Sequence, residues 1–309
     1  MKYSGPPPID VQDEKGTGPL DLGPDRRARG KALLHFILFM GLAVGFTLLA
    51  LVVAKYVFNI NVDVDGPVSM KEILVANFFL AIVNAALPTA IMVSATHESS
   101  VAFGWGRSRR LRHLGIGVAA GFGLLSALLL AMSLLGGYSF GDLALAPAQA
   151  VEYGTTYLMV FALTAVSEEG ALRGYGLVQL SRAISFWPAA VVMSTLFLVL
   201  HLVHKNETPI GLAQVGLVGL ILAYSFRRSG ALWFALGFHA SWDYAQSFMF
   251  GVPDSGVSLP GALLHPTFHG PSWLTGGSAG PEGSVLVLPI LAVLAVVTHL
   301  AFPTPRSIS

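Results

Sequence analysis

The 309-residue chain has no cysteine. That excludes a thiol nucleophile, thiolate metal ligands and disulfide bridges. It is also poor in charge. Only 11% of its residues are Asp, Glu, Lys or Arg, against 54% hydrophobic, and a soluble domain carries about twice that charged fraction. The net charge of +1 gives no support to a nucleic-acid partner, which would call for a basic surface. What remains is long apolar runs, the composition of a polytopic membrane protein.

Eight runs are candidate transmembrane helices: 33–54, 73–95, 114–135, 155–180, 186–204, 209–226, 231–250 and 285–302. The expected fold class is all-α, a membrane helix bundle of about eight spans. Residues 1–32 are polar and Pro-rich, with six Lys/Arg and five Asp/Glu, and read as a flexible tail. The first run is too long for a signal-peptide core. A single transmembrane domain is expected over 33–302, with a short tail at 303–309. Gly41–Gly45 and Gly117–Gly121 have the small-residue spacing that suits close helix packing.

With the N-terminal tail on the cytoplasmic side, fourteen of the eighteen Lys/Arg fall in inner segments and three in outer ones. That bias places both termini in the cytoplasm. The expected location is the plasma membrane of a prokaryote. One outer connection, residues 251–284, is long and rich in Gly and Pro, the kind of loop that serves as a functional cover, enters the membrane as a re-entrant segment or is simply mobile. Its His265, His269 and Trp273 are expected to be surface loop residues.

Few ionisable groups lie inside the runs: Glu168, Glu169, Arg173, His201, His239 and Asp243 carry the argument. Each costs at least ~2.5 kcal/mol near a helix centre, so they should face the bundle interior and serve a function. Glu169 and Arg173 stand i,i+4 with the acid first, the better orientation for an ion pair. Glu168 is rotated ~100° away from Glu169 and is free to point elsewhere. Phe197 and His201 share one helix face, as do His239 and Asp243. Counted at ~1.5 Å per residue from the cytoplasmic ends, Glu168, His201, His239 and Asp243 lie roughly 18, 22, 12 and 18 Å deep. Three helices thus bring their polar groups to one level. Two chemistries suit such a set. A glutamate with histidine help can activate water while a second histidine steadies an oxyanion. Alternatively Glu168, His201, His239 and Asp243 could bind one divalent metal such as Zn with an open water position. Both hydrolyse a peptide bond without a covalent intermediate. Asn77 and Asn84 are expected to hydrogen-bond between helices. A proton-relaying transporter and a non-catalytic membrane scaffold are the rival readings.

The three pieces resemble the signature of the CPBP family of intramembrane proteases, which comprises CAAX prenyl endopeptidases, bacteriocin-processing enzymes and Abi-type proteins. Its EExxxR motif is matched by Glu168, Glu169 and Arg173, its FxxxH by Phe197 and His201, and its HxxxN/D by His239 and Asp243. The similarity spans about 155–250. It implies an intramembrane metalloendopeptidase acting on a peptide or membrane-protein substrate in the lipid bilayer. In that reading Glu168 with His201 activates water, His239 with Asp243 holds the oxyanion side, and Glu169, Arg173 and Phe197 give structural support. The sequence has Asp243 where the prenyl-protease branch has Asn. An ionised aspartate cannot donate a hydrogen bond, so Asp243 is protonated, orients His239 or binds a metal. The "GGSAGPEGS" stretch at 276–284 also resembles a loop of bacterial members.

Overall fold

A computed structural model describes residues 26–56 and 69–302. The chain is a bundle of apolar helices: α1 (Arg26–Tyr56), α2 (Met70–Leu80), α3 (Leu87–Thr96), α4 (Arg110–Leu134), α5 (Pro147–Glu169), α6 (Leu177–Ile184), α7 (Phe186–His201), α8 (Pro209–Ser229), α9 (Trp233–Tyr244), the one-turn α10 (Ser272–Thr275) and α11 (Val287–Ala301). Residues 1–25 and 303–309, most of the two expected tails, lie outside the described residues. The N-terminal boundary moves: Arg26 to Lys31 already belong to α1 rather than to a tail reaching residue 32.

The eight expected spans are matched in part. Among the described residues, four helices are long and apolar enough to cross a membrane: Arg26–Tyr56, Met70–Thr96, Arg110–Leu134 and Pro209–Ser229. Phe186–His201 and Val287–Ala301 are apolar but shorter. The expected 155–180 and 231–250 runs are interrupted by wide π turns at Gly170–Gly176 and Ala245–Met249. Apolarity over twenty residues licenses a span but does not report where the helix changes pitch.

Two of these pitch changes have readable causes. In Met70–Thr96 the α2 helix starts on a capping box, Ser69 with Glu72, and widens into a π turn at Ala81–Ala86, where the Leu87 amide reaches back to Ile82. Pro88 follows directly and has no amide to donate to residue 84, so the regular ladder breaks there. In α5 the wide turn spans "GALRGYG", and Gly174 leaves helical geometry altogether (φ −80°, ψ −114°). Extra turns of this kind recur at functional sites, and this one follows Glu168 and Glu169 without a gap.

The fold is not purely α-helical. Strands β1 (Tyr138–Leu143) and β2 (Leu264–Phe268) pair antiparallel, with Tyr138 opposite Phe268 and Leu143 opposite Leu264. A bulge lies between Ser139 and Asp142. Gly141 takes a positive φ of 69° there, and a side-chain carbon on it would strike the His265 carbonyl. Only glycine fits both constraints. This ribbon ties the α4–α5 connection to the 251–284 segment. That segment is held at many points: Tyr157 donates to the Pro260 carbonyl, Leu263 to Phe248, Asn206 to Gly256 and Tyr138 to Phe250. His265, His269 and Trp273 are exposed on it, as expected.

The position of α9 follows from its contact with α4. A side-chain carbon at Gly121 would strike the Phe238 carbonyl, and one at Gly237 the Leu114 carbonyl. Glycines on both helices let the backbones touch, and Ser241 adds a hydrogen bond to the Val118 carbonyl at 3.1 Å. Gly121 belongs to the Gly117–Gly121 pair seen in the sequence; Gly237 completes the contact from the other side. Asn84 donates to Ser167 at 3.1 Å, and Thr164 donates to Asn77 at 2.8 Å, so both asparagines bind α5 as expected. Gly237→Val should force α9 off α4 and cost about 1–3 kcal/mol, typical of overpacking. A thermal melt in detergent should show the drop. Gly115→Ala, at a position of α4 where a side-chain carbon meets nothing within 4 Å, should not lower it.

Candidate active site

Five helices, α2, α5, α7, α8 and α9, converge on one cavity of about 270 Å³. Its polar lining includes Glu168 from α5, His201 from α7, His239 and Asp243 from α9, and Asp254 and Glu282 from the outer segment. The remaining wall is largely apolar, from α5, α8 and α9. Residues far apart in the chain thus face a common space, as the depth argument requires.

The centre of the cluster is Glu169, which is fully buried. Its Oε1 accepts from Arg173 NH1 at 3.0 Å and lies 2.9 Å from His239 Nδ1. The carboxylate accepts, so Nδ1 carries the proton and His239 donates it. That bond fixes the ring and turns Nε2 toward two further carboxylates, Asp243 Oδ2 at 3.3 Å and Glu168 Oε2 at 3.6 Å. Glu168 is the accessible acid of the set, with 34% of its side chain exposed to the cavity; Glu169 has none. Arg173 is itself buried and stacks its guanidinium on the Phe197 ring at 4.3 Å. Its NH2 and a serine on α7 crowd Gly219 of α8, where any side chain would collide with them. The arginine therefore bridges α5, α7 and α8 from behind the cavity.

His201 takes a different position from the one expected. Its Nδ1 lies 2.9 Å from the carbonyl of Phe197 one turn earlier, so Nδ1–H donates there and Nε2 is left as an acceptor. The ring packs edge-on to Phe197 at 4.6 Å. It lines the cavity, but the histidine within reach of Glu168 is His239. His204, 5.3 Å from His201 ring to ring, also lines the cavity. The four candidate metal ligands are not assembled as a ligand set. Among the described residues, no group of three or more His, Asp or Glu side chains is placed to hold a metal ion, since both His239 nitrogens already face carboxylates and His201 is turned to its own helix.

Two carboxylates escaped the sequence reading. Asp254 and Glu282 sit in the 251–284 segment, which folds back over the cavity rather than lying on the surface. Glu282 is only 5% exposed. It accepts from Trp242 Nε1 at 3.0 Å, from the Ser255 amide at 3.0 Å and from the Ser255 hydroxyl at 3.1 Å. The signals for Glu282 were its place in the GGSAGPEGS stretch, which resembles a loop of bacterial family members, and the Gly/Pro spacing around it, which is equally the signal of an exposed turn.

Residues 151–245 match the family model described as type II CAAX prenyl endopeptidase Rce1-like. The match covers less than half of the chain and shows a similarity of this region to the CAAX protease family. The matched region carries Glu168, Glu169, Arg173, Phe197, His201, His239 and Asp243, and ends where α9 widens. No curated protein and no solved structure matches the chain. With its membrane-length apolar helices and this family match, the chain is an integral membrane protein.

Burial, then the Asp243 charge, pushes the Glu282 carboxyl up to about 7 from an ordinary value of 4.5. Burial with the Asp243 and Glu282 charges holds Asp254 well above the usual carboxylate range. Both groups therefore keep their protons more tightly in the folded protein than in the unfolded chain. Between pH 4.5 and 7 the native state binds the extra proton on Glu282, so the stability it contributes is present at the acid end and lost as pH rises. Melting temperatures measured at pH 5 and pH 7.5 should fall across that window in the wild type, and fall less in Glu282→Gln.

Proposed function

We propose that the protein is an intramembrane endopeptidase that cleaves a peptide bond with water activated at Glu168. The observation that carries this reading is the fixed His239, whose Nδ1 is held on buried Glu169 while its Nε2 faces Glu168 and Asp243. An acid that reaches the cavity stands beside an oriented imidazole, the pairing that general acid–base hydrolysis uses.

The charge balance of the cluster assigns the roles. His239, flanked by three carboxylates, acts as a cation and donates from both ring nitrogens. Arg173 supplies the second positive charge. Against these stand Glu169, Asp243 and Glu168. When Glu168 takes a proton from water the group of five becomes neutral, which a water-poor helix bundle favours. The hydroxide equivalent attacks the scissile carbonyl, the His239 Nε2–H side steadies the oxyanion, and Glu168 returns the proton to the leaving amine. His201 Nε2, free as an acceptor, holds the same water from the α7 side. Asp243 orients His239, the second of the three roles open to an aspartate at that position. Glu169 and Arg173 keep the imidazole in place. The eight-span bundle with both termini in the cytoplasm, in a prokaryotic plasma membrane, belongs to the same proposal. The substrate is a peptide or membrane-protein segment that reaches the cavity between helices.

Glu168→Ala and His239→Ala should each lower the rate of cleavage of a quenched peptide substrate by at least about 100-fold, the scale of a lost general base or its partner. The Glu168→Ala melt should stay close to wild type, whereas the His239→Ala melt should fall, because buried Glu169 loses a partner. His201→Ala should cost less, since His201 does not touch Glu168. Cleavage surviving in both Glu168→Ala and His239→Ala sinks the peptidase reading, and proton or solute flux into liposomes would then favour a transporter. Elemental analysis of the purified protein should find less than one equivalent of divalent metal. A stoichiometric metal that is lost on Asp243→Asn would replace this mechanism with a metal-centred one.

A further inference from the structure

The outer segment supplies a carboxylate that no part of the mechanism above uses. Glu282 lies in a turn built for inward delivery. Gly276 and Gly280 both take a φ of 82°, and their backbones pack too closely against the Gly280 and Pro253 carbonyls for any side chain. Short turns close with Gly283 donating to Gly280 and Ser284 to Pro281, and Ser284 Oγ donates to the Leu274 carbonyl at 2.7 Å. The result is a polar side chain from a loop, buried in the bundle.

Its two oxygens have separate partners. Oε1 accepts from Trp242 Nε1 at 3.0 Å and from Gln214 Nε2 at 3.5 Å, on α9 and α8. Oε2 accepts from the amide and hydroxyl of Ser255, on the same outer segment. Trp242 directly precedes Asp243 and stands three residues from His239. Ser255 directly follows Asp254, which lines the cavity with them. A second tie secures the same stretch: Gln246 Nε2 donates to the Pro253 carbonyl at 2.6 Å, and the Val252 amide donates to the Gln246 carbonyl at 3.0 Å. A carboxylate with this arrangement joins the covering loop to the reactive helix across a buried polar contact, where a lost partner leaves the others unsatisfied.

We propose that Glu282 is a positioning residue of the reaction, clamping the outer segment onto α9 so that Asp254 and Asp243 are presented to one cavity. The inference deepens the peptidase reading and rests on it for its kinetic consequence. Glu282→Gln keeps the size and the acceptor toward Trp242, but turns an NH2 donor against the Ser255 amide, so one arm of the clamp opens. Ser255→Ala removes the hydroxyl arm alone and serves where Glu282→Gln fails to fold.

The test uses the full-length protein in detergent and has two readouts. Hydrogen exchange over 252–256 reads the clamp without any catalysis, because the Ser255 amide is capped by Glu282. Exchange there should quicken by about tenfold in Glu282→Gln while the α4–α9 contact keeps its protection. Cleavage of a quenched peptide by the wild type and the variants reads the consequence. The expected pattern is kcat lowered at least about tenfold with KM changed less than about threefold, the mark of misplaced groups rather than weakened binding. Ser255→Ala should move both readouts the same way by less. Unchanged exchange in Glu282→Gln overturns the clamp. Faster exchange with wild-type kcat overturns the positioning role. Glu168→Ala, measured alongside, separates the two ideas: its retained cleavage would sink the peptidase reading while the exchange result on Glu282 stands.

Discussion

The structure turns on a single carboxylate shared between an arginine and a histidine. Glu169 is buried without exposure and takes both the Arg173 guanidinium and the His239 imidazole on one oxygen. A buried charge is costly unless it is paired and hydrogen-bonded, so each member of this trio depends on the other two. Arg173 stays where it is because Phe197 covers its face and Gly219 leaves room for its end. His239 is aimed because Nδ1 has one acceptor to satisfy. The cost of placing five ionisable groups in a membrane protein's interior is met by arranging them as a network, and the member with most access to the cavity is Glu168.

Around that network the backbone does the positioning. The α4–α9 contact has no large side chains at its centre, only glycines and a serine hydrogen bond. Helices in lipid gain little from burying apolar surface against one another, so close backbone approach and hydrogen bonds must hold them. The wide turn after Glu169 serves a related end. A regular helix would carry Glu168, Glu169 and Arg173 on along its own axis. The interruption at Gly170–Gly176 lets the chain leave the cluster and pack α6 and α7 behind it. The outer segment closes the cavity from the far side by sending two carboxyl groups into it, which is why a stretch rich in Gly and Pro is as well tied as the helices it joins.

How much of this was legible differs by residue. Helical spacing correctly paired Glu169 with Arg173 and His239 with Asp243, because both pairs sit one turn apart on a single helix, where spacing decides contact. It assigned Glu169 to a structural pair alone, since a contact from α5 to α9 has no sequence spacing. The pairing of Glu168 with His201 came from the family resemblance, and His239 is the histidine within reach of Glu168; depth along a helix says nothing of which way a ring turns. His201 turned back to the Phe197 carbonyl, a contact available to any histidine near the end of a helix. Asp254 and Glu282 were not singled out, because they lie in a loop with no helical spacing to pair them. Gly and Pro report tight turns, and tight turns face inward or outward with the same residues.

By itself the sequence determined that this chain is helical and membrane-embedded, that its few internal charges are worth their cost, and that three motifs carry them at one depth. Those conclusions follow from composition and local periodicity, which need no partner. The tertiary structure alone decided which imidazole meets which acid, where apolar runs bend or fall short of a span, and that the outer loop closes over the site. Each of these depends on groups from separate elements, and the energy that settles them is packing and hydrogen bonding between elements rather than anything within one.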